Sequence, residues 1–167
     1  MGIISSMNNK NWIDVASPIG LIRVFESNNK ITNLEIAAKK AGKPSGPAAQ
    51  VLKDAAKQLD EYFSGRRTRF DLPVMMESGT NFQKAVWKQI AKIGFGKKVS
   101  YVEIAKAIGK PQASRAVGGA VGANPIPLII GCHRVLGASG KITGYSGGKG
   151  IPTKQWLLNH EGIESKS

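Results

Sequence analysis

Residues 99–135 read VSYVEIAKAIGKPQASRAVGGAVGANPIPLIIGCHRV, and this stretch contains the clearest local signals of the chain. Ser100 and Glu103 have the spacing of a capping box, which predicts a short helix that stops at Gly109. Lys110-Pro111 favours a turn, since proline is preferred at a first helical position. A second helix is predicted from about residue 111 to residue 123. Two short helices joined by such a turn predict a helix-turn-helix.

The second of these helices is unusually poor in bulky side chains. Gly118, Gly119 and Gly122 lie in its interior, at a cost of about 3 kcal/mol in helix propensity relative to alanine. Arg115 is its only long side chain. Close backbone approach to a partner would offset the lost propensity. The partner is either a narrow groove of another molecule or a neighbouring helix of the same protein, and the sequence leaves both open.

Upstream, Thr80 and Gln83 form a second capping-box pattern and start another helix. Its apolar side chains recur at helical spacing, and its lysines form a separate basic row. The apolar positions are Phe82, Val86, Ile90 and Ile93, and the basic row is Lys84, Lys88 and Lys92.

Downstream, the apolar run 126–130 predicts a buried extended segment that leads to Cys132. A thiolate is the reactive form of cysteine, and an imidazole within reach can accept the thiol proton. His133 meets this need if the chain turns directly after Cys132. Glu161, at the end of a helix predicted over 152–160, is a better candidate to orient the imidazole than Glu164 in the tail. A lone cysteine beside an apolar run is equally compatible with simple packing.

The net charge of +13 is concentrated in one part of the chain. Residues 84–158 carry twelve Lys or Arg and a single acid, Glu103. Such a field concentrates a polyanion, although charge alone does not separate DNA, RNA and an anionic membrane. No apolar run approaches membrane-spanning length, and residues 1–7 lack the pattern of a signal peptide. One cysteine excludes an internal disulfide and a multi-cysteine zinc site, so we expect no metal and a reducing cytoplasm.

The first part of the chain predicts a small antiparallel sheet followed by a helix. Strands are expected at 12–15, 21–25 and 31–36, a loop at 41–47 and a helix at 48–63. We place a domain boundary near Met76. The predicted fold is an α/β protein with a small N-terminal antiparallel sheet-plus-helix domain (1–76). A mainly helical C-terminal domain (77–167) follows, with a winged-helix-like helix-turn-helix.

Several ordered motifs together resemble the methylated-DNA–protein-cysteine methyltransferase family, also called O6-alkylguanine-DNA alkyltransferases. The resemblance covers nearly the whole chain and is strongest over residues 79–162. Its motifs are FQ…VW (82–87), VSY (99–101), SRAVG (114–118), NP (124–125), CHRV (132–135), GYSGG (144–148) and WLL…HEG (156–162), with SPIG (17–20) and LDEYF (59–63) in the N-terminal domain.

This resemblance implies direct DNA repair in which Cys132 irreversibly takes the alkyl group from O6-alkylguanine, and also from O4-alkylthymine, with each molecule acting once and no cofactor. It implies that His133 is the base through a bound water, that Glu161 orients it and that Asn124 links the recognition helix to the cysteine loop. The implied pocket residues are Tyr101, Val135, Tyr145, Ser146 and Gly147, with the backbone of Cys132 and Val135 accepting from the guanine amine and Ser146 donating toward its oxygen.

The resemblance also implies a monomer, with no membrane partner, that places its small-residue helix in the minor groove of double-stranded DNA. Arg115 would enter the duplex in place of a flipped nucleotide, while Tyr101 would push the phosphate that rotates it. The remaining implied DNA contacts are Ser114, Ala116, Gly118 and Gly119. Extrusion fits the chemistry, since an alkylated oxygen inside a duplex is out of reach.

The sequence departs from the family pattern at two places. Gly131 replaces the proline that usually precedes the cysteine, which predicts a freer loop. The loop from 148 to 156 is longer than usual, which predicts an altered wall of the alkyl pocket.

Two alternative functions remain open. One is a non-catalytic alkyl-lesion sensor, which in related proteins lacks the cysteine. The other is a cysteine hydrolase using Cys132, His133 and Glu161.

Overall fold

The computed structural model describes residues 10–39, 43 and 46–166. These residues form two compact units that divide between Glu77 and Ser78. The predictions for residues 1–7, and most of the predicted loop 41–47, lie outside the described residues. Within the described part of the chain, no helix is both long enough and apolar enough to span a membrane.

The first unit is a three-stranded antiparallel sheet with one helix. The strands are β1 (Asn11–Val15), β2 (Ile22–Ser27) and β3 (Lys30–Ile36), in the order β1-β2-β3, and the helix is α1 (Gln50–Phe63). Asn28 and Asn29 join β2 to β3 with φ angles of 52° and 60°, as a two-residue hairpin turn requires. The core of the unit is formed by alternate strand residues and one face of α1, namely Ile22, Val24, Ile31, Leu34, Val51, Leu52, Ala55, Leu59 and Tyr62.

The second unit is mainly helical. Its elements are α2 (Asn81–Ala91), β4 (Val99–Ser100), α3 (Tyr101–Ala107), α4 (Ser114–Gly122), β5 (Val135–Leu136) and α5 (Ile151–His160). The capping box at Thr80 and Gln83 is present with both reciprocal hydrogen bonds. Trp87 of α2 donates its indole N–H to the Ala120 carbonyl at 2.8 Å and thereby joins α2 to α4.

The helix-turn-helix consists of α3 and α4, with two local corrections. Ser100 accepts the backbone N–H of Glu103, but the Glu103 carboxylate accepts from the Ser100 hydroxyl, so only half of the predicted capping box forms. Ser100 also ends β4, which pairs in parallel with β5. The second helix begins at Ser114 rather than near residue 111, because the Ala113 amide closes a turn onto the Lys110 carbonyl at 2.9 Å.

The prediction of an extended segment over 126–130 is wrong. The chain folds into a tight turn in which the Ile130 amide donates to the Ile126 carbonyl at 2.9 Å. Leu128 sits at a φ of 73°. Asn124 stabilises this turn, because its side-chain oxygen accepts the Ile126 amide and its NH₂ donates to the Ile130 carbonyl. The apolar run is buried as expected, but burial does not fix backbone conformation.

Candidate active site

The turn at 126–130 leads directly to Gly131 and Cys132. The Cys132 amide donates to the Ile130 carbonyl at 2.7 Å across Gly131, whose φ of −73° and ψ of 62° form an inverse γ-turn. Residues Cys132–Arg134 then form one turn of 3₁₀-helix, so the chain does turn directly after the cysteine. The Cys132 side chain is almost fully buried and lies beside the side chains of Asn124 and Tyr145.

Cys132 opens into a cavity of about 680 Å³. The cavity is therefore bounded on one side by the reactive sulfur and on another by the helix-turn-helix. The lining residues are Ser100, Tyr101, Val102, Ser114, Arg115, Gly118, Val121, Gly122, Cys132, Ala138, Thr143, Gly144, Tyr145, Ser146 and Lys154.

Behind the cysteine, His133 forms a short hydrogen bond with Glu161. The distance from His133 Nε2 to Glu161 Oε2 is 2.6 Å, and both side chains are fully buried. An ionised carboxylate can only accept hydrogen bonds, so the ring proton lies on Nε2. Nδ1 then carries a free lone pair, and it has no hydrogen-bond partner within the described residues. The geometry thus holds the imidazole in the tautomer that can accept a proton.

Glu161 also binds Arg134, the second residue after the cysteine. Arg134 Nε donates to Glu161 Oε1 at 2.8 Å and Nη2 donates to Oε2 at 3.1 Å. Its remaining Nη1 donates to the Ile93 carbonyl at 2.6 Å, while the Gly96 amide adds a further donor to Glu161. The guanidinium therefore compensates the buried carboxylate rather than the thiol.

Lys154 supplies the positive charge near the thiol, and the sequence analysis missed it. This residue of α5 is 1% exposed and lines the cavity. Its ammonium group donates to the Val135 carbonyl at 2.7 Å and to the Gly144 carbonyl at 3.1 Å, tying the cysteine loop to the following loop. Burial lowers the pKa of Lys154 to about 8, against a Coulombic contribution from Cys132 that raises it.

Burial also decides the resting state of the two reacting groups. It raises the pKa of the Cys132 thiol, and the hydrogen bond from Asn124, the charge of Lys154 and the hydrogen bond from Tyr145 oppose this shift. Burial lowers the pKa of His133, although Glu161 acts in the opposite direction. The resting pair is therefore a neutral thiol and a neutral imidazole, and ionisation of the sulfur requires proton transfer.

The residues expected to bind the base lie mostly around the cavity. The Tyr101 hydroxyl is 3.0 Å from the Thr143 hydroxyl, and the Ser146 hydroxyl donates to the Gly122 carbonyl at 2.9 Å. The Val135 carbonyl already accepts from Lys154. The Gly147 carbonyl instead accepts the Gly150 amide in the loop before α5.

One face of α4 is exposed and carries few bulky side chains. Arg115, Ala116, Gly119 and Gly122 are exposed, and Ser114 and Gly118 are half-buried. A Cβ atom added at Gly119 or Gly122 would meet nothing within 4 Å, whereas one at Gly118 would lie 3.9 Å from the Tyr101 ring. Packing against another helix therefore does not account for the two exposed glycines. No close packing at these two positions, among the described residues, offsets their cost in helix propensity.

The two departures noted in the sequence have clear structural settings. A Cβ at Gly131 would lie 3.0–3.2 Å from the Arg134 side chain, so glycine leaves room for this arginine to fold back toward Glu161. The φ of Gly131 would itself suit proline. Between β5 and the end of α5, the residues that line the cavity are Ala138, Thr143, Gly144, Tyr145, Ser146 and Lys154. The longer segment between Ser146 and Lys154 does not contribute to the described wall.

This fold and this site define a class: a helix-turn-helix protein in which a cysteine, backed by a buried histidine–glutamate pair, lines a cavity beneath an exposed glycine-rich helix. Residues 81–163 match the model of the "6-O-methylguanine DNA methyltransferase, DNA binding domain", and residues 12–76 match that of its "ribonuclease-like domain". No group of three or more potential metal-ligating side chains occurs among the residues 10–39, 43 and 46–166.

Curated relatives and solved structures agree with these matches. The methylated-DNA–protein-cysteine methyltransferase of Methanosarcina acetivorans is 44% identical over 87% of this chain and 94% of its own length. The crystal structure of Mycobacterium tuberculosis O6-methylguanine methyltransferase has a TM-score of 0.79 at 42% identity, covering 91% of this chain and 92% of that one. A second structure of the M. tuberculosis protein, in complex with DNA, has the same TM-score and identity, with coverage of 90% and 91%.

The chain therefore belongs to the methylated-DNA–protein-cysteine methyltransferase family. This confirms the family resemblance and the predicted fold class, a small N-terminal sheet domain followed by a mainly helical domain.

Proposed function

We propose that this protein repairs DNA directly by transferring the alkyl group of O6-alkylguanine to Cys132 in a single irreversible step. The observation that carries the proposal is the cavity of about 680 Å³ that connects the lone cysteine to the base of the exposed helix α4. A hydrolase would have no use for an uncovered glycine-rich helix beside its nucleophile. Family membership supports the same chemistry.

In the proposed reaction, His133 accepts the thiol proton at Nδ1 through a water molecule, and Glu161 stabilises the resulting imidazolium. The Cys132 thiolate attacks the alkyl carbon, so that a sulfur–carbon bond forms as the bond from carbon to the guanine oxygen breaks. The electron pair of the broken bond stays on the guanine oxygen, and the guanine anion takes up one proton from solvent, equivalent to the one that the thiol released. No step regenerates the thiol, so each molecule acts once. Lys154 stabilises the thiolate, and Asn124 and Tyr145 hold the sulfur in place.

The duplex would approach through the minor groove. The exposed side of α4 offers Arg115 together with Ala116, Gly119 and Gly122, a surface low enough to enter a narrow groove. Arg115 would fill the gap left by the flipped nucleotide, and Tyr101 would guide its rotation, with Ser114 and Gly118 beside them. Ser146, Gly147 and the Val135 backbone would then recognise the base, including O4-alkylthymine. In this proposal the protein acts as a monomer, and a reduced cysteine suits the cytoplasm.

The direct test is the intact mass of the protein after incubation with a duplex that contains O6-methylguanine. We expect a gain of one methyl group per molecule, mapped to Cys132 by peptide fragmentation. Cys132→Ala should gain nothing on the same duplex. A parent protein that keeps its original mass while binding the lesion tightly would contradict repair and favour the lesion-sensor alternative; turnover of esters or amides without DNA would favour the hydrolase.

Replacing Arg115 with alanine should slow repair of duplex DNA more than reaction with a free O6-alkylguanine base. Only the duplex leaves a gap in a base stack, which costs a few kcal/mol to open. The measurement is the ratio of the two single-turnover rates. Lys88→Ala on the exposed side of α2 is the matched control, because it removes one positive charge elsewhere in the same unit. Equal losses on both substrates would contradict the strand-filling role.

A further inference from the structure

The side chain of Tyr101 is fixed from two directions at the rim of the cavity. Its ring lies against Gly118 of α4, where an added Cβ would be 3.9 Å away. Its hydroxyl meets the Thr143 hydroxyl at 3.0 Å, across 42 positions of the sequence. Tyr101 and Thr143 both line the cavity that contains Cys132. The phenol thus connects the helix-turn-helix to the loop that follows the cysteine.

Thr143 is exposed, and its methyl group lies close to Gly137. A Cβ at Gly137 would lie 2.8 Å from the Thr143 methyl group and 3.2 Å from the Lys141 carbonyl oxygen, so glycine provides the space in which this methyl group packs. With the methyl group against Gly137, the hydroxyl points to Tyr101. The adjacent Gly144 is anchored by Lys154. The Tyr101–Thr143 hydrogen bond is thus present without a base in the cavity.

We infer that Thr143 is a positioning residue for transfer, and that its hydroxyl holds the Tyr101 phenol at the rim for the incoming base. This inference rests on the proposed function and adds a residue to it. The described partner of the Thr143 hydroxyl is the Tyr101 phenol, so we expect its influence on transfer to pass through Tyr101. A side chain that is already in place need not be ordered when the base arrives.

The test compares Thr143→Val, which keeps the shape and removes the hydroxyl, with Thr143→Ser, which keeps the hydroxyl. At saturating O6-methylguanine duplex, we expect Thr143→Val to transfer about 3- to 10-fold more slowly, as for loss of one hydrogen bond. Thr143→Ser should stay within about twofold of the parent. The affinity of Thr143→Val for undamaged duplex should equal that of the parent protein. A general structural defect would instead lower both the transfer rate and this affinity.

A double-variant comparison assigns the effect to Tyr101. In a Tyr101→Phe background, Thr143→Val should cause no further loss, because the hydrogen bond is already gone. Thr143→Ala should reproduce the loss in the parent background if the valine variant is poorly folded. The inference is overturned if Thr143→Val reacts at the parent rate, or if its loss persists in full beside Tyr101→Phe. No methyl transfer by the parent protein would instead overturn the proposed function and this inference with it.

Discussion

Replacing Glu161 with glutamine is expected to destabilise the protein by about 3–5 kcal/mol, the usual cost of leaving one partner of a buried ion pair uncompensated. The Glu161 carboxylate is fully buried and accepts from His133, from two nitrogens of Arg134 and from the Gly96 amide. Glutamine removes the negative charge and presents two N–H donors to a group of donors. Urea unfolding measures the change in the free energy of unfolding.

The same substitution should slow alkyl transfer by about 10²-fold or more, within the usual contribution of a general base. If the glutamine oxygen faces Arg134 Nε, its NH₂ group faces His133, and Nε2 must then accept. The ring proton moves to Nδ1, which can no longer accept the thiol proton. If the amide is reversed, its NH₂ group opposes Arg134 Nε and the Gly96 amide. The first orientation therefore changes the tautomer of His133, and the second leaves Arg134 without its acceptor.

Glu164→Gln is the matched control, because Glu164 is an exposed acid three residues further along the chain. We expect this control to keep both the parent stability and the parent transfer rate. Single-turnover rates should be measured without urea, at a temperature at which each variant is fully folded. A Glu161→Gln protein that transfers within about threefold of the parent rate would exclude the orienting role of this carboxylate.

Local sequence signals predicted the elements that carry the site. Capping residues and apolar periodicity marked α2 and α3, because these patterns act within a single helical turn. Glu161 was identified because only two acids follow Glu103 in the sequence, which left few candidates. The turn after Cys132 was required if its neighbour His133 was to serve it.

Contacts between distant parts of the chain were harder to predict. Leu128 adopts a positive φ within an apolar run, where composition indicates burial but gives no backbone direction. The pairing of Arg134 with Glu161 joins residues 27 positions apart. The hydrogen bond between Tyr101 and Thr143 likewise depends on how the start of α3 meets the loop after the cysteine.

Lys154 did leave a signal in the sequence. Leu157, Leu158 and Glu161 follow it at three, four and seven positions, which places all four residues on one face of α5. Two leucines and the candidate carboxylate mark that face as buried, so a lysine among them is unusual. Attention to the whole helical face, rather than to the Cys132–Arg134 run, would have identified the cation of the site.

Replacing Lys154 with methionine is expected to slow transfer at pH 7 by about 10-fold for each unit by which the pKa of the Cys132 thiol rises. Burial already raises that pKa, and the Lys154 charge is one of the contributions that oppose it. Methionine fills similar space without charge, but it leaves the Val135 and Gly144 carbonyls without their ammonium donor. Lys149→Met, at an exposed position in the preceding loop, is the matched control.

The pH dependence of transfer gives the sharper measurement of this role. At low pH the thiol keeps its proton, so the rate should increase as pH rises. Above the Lys154 pKa of about 8 the ammonium group loses its charge, and its stabilisation of the thiolate disappears. The parent rate should therefore reach a maximum near pH 8 and then fall or level off, and the two apparent pKa values belong to the coupled pair. Reaction with a free O6-alkylguanine base excludes pH effects on DNA binding.

Lys154→Met should lose the high-pH limb of this profile, because no charge remains to be removed, and its rate should keep rising as the thiol ionises at higher pH. Thermal melting at each pH separates this effect from unfolding. A methionine variant with the parent maximum would show that another group titrates near pH 8. A variant with the parent rate at pH 7 would show that Asn124, Tyr145 and proton transfer to His133 suffice to ionise the sulfur, and that the buried ammonium group acts only as a link between the two loops.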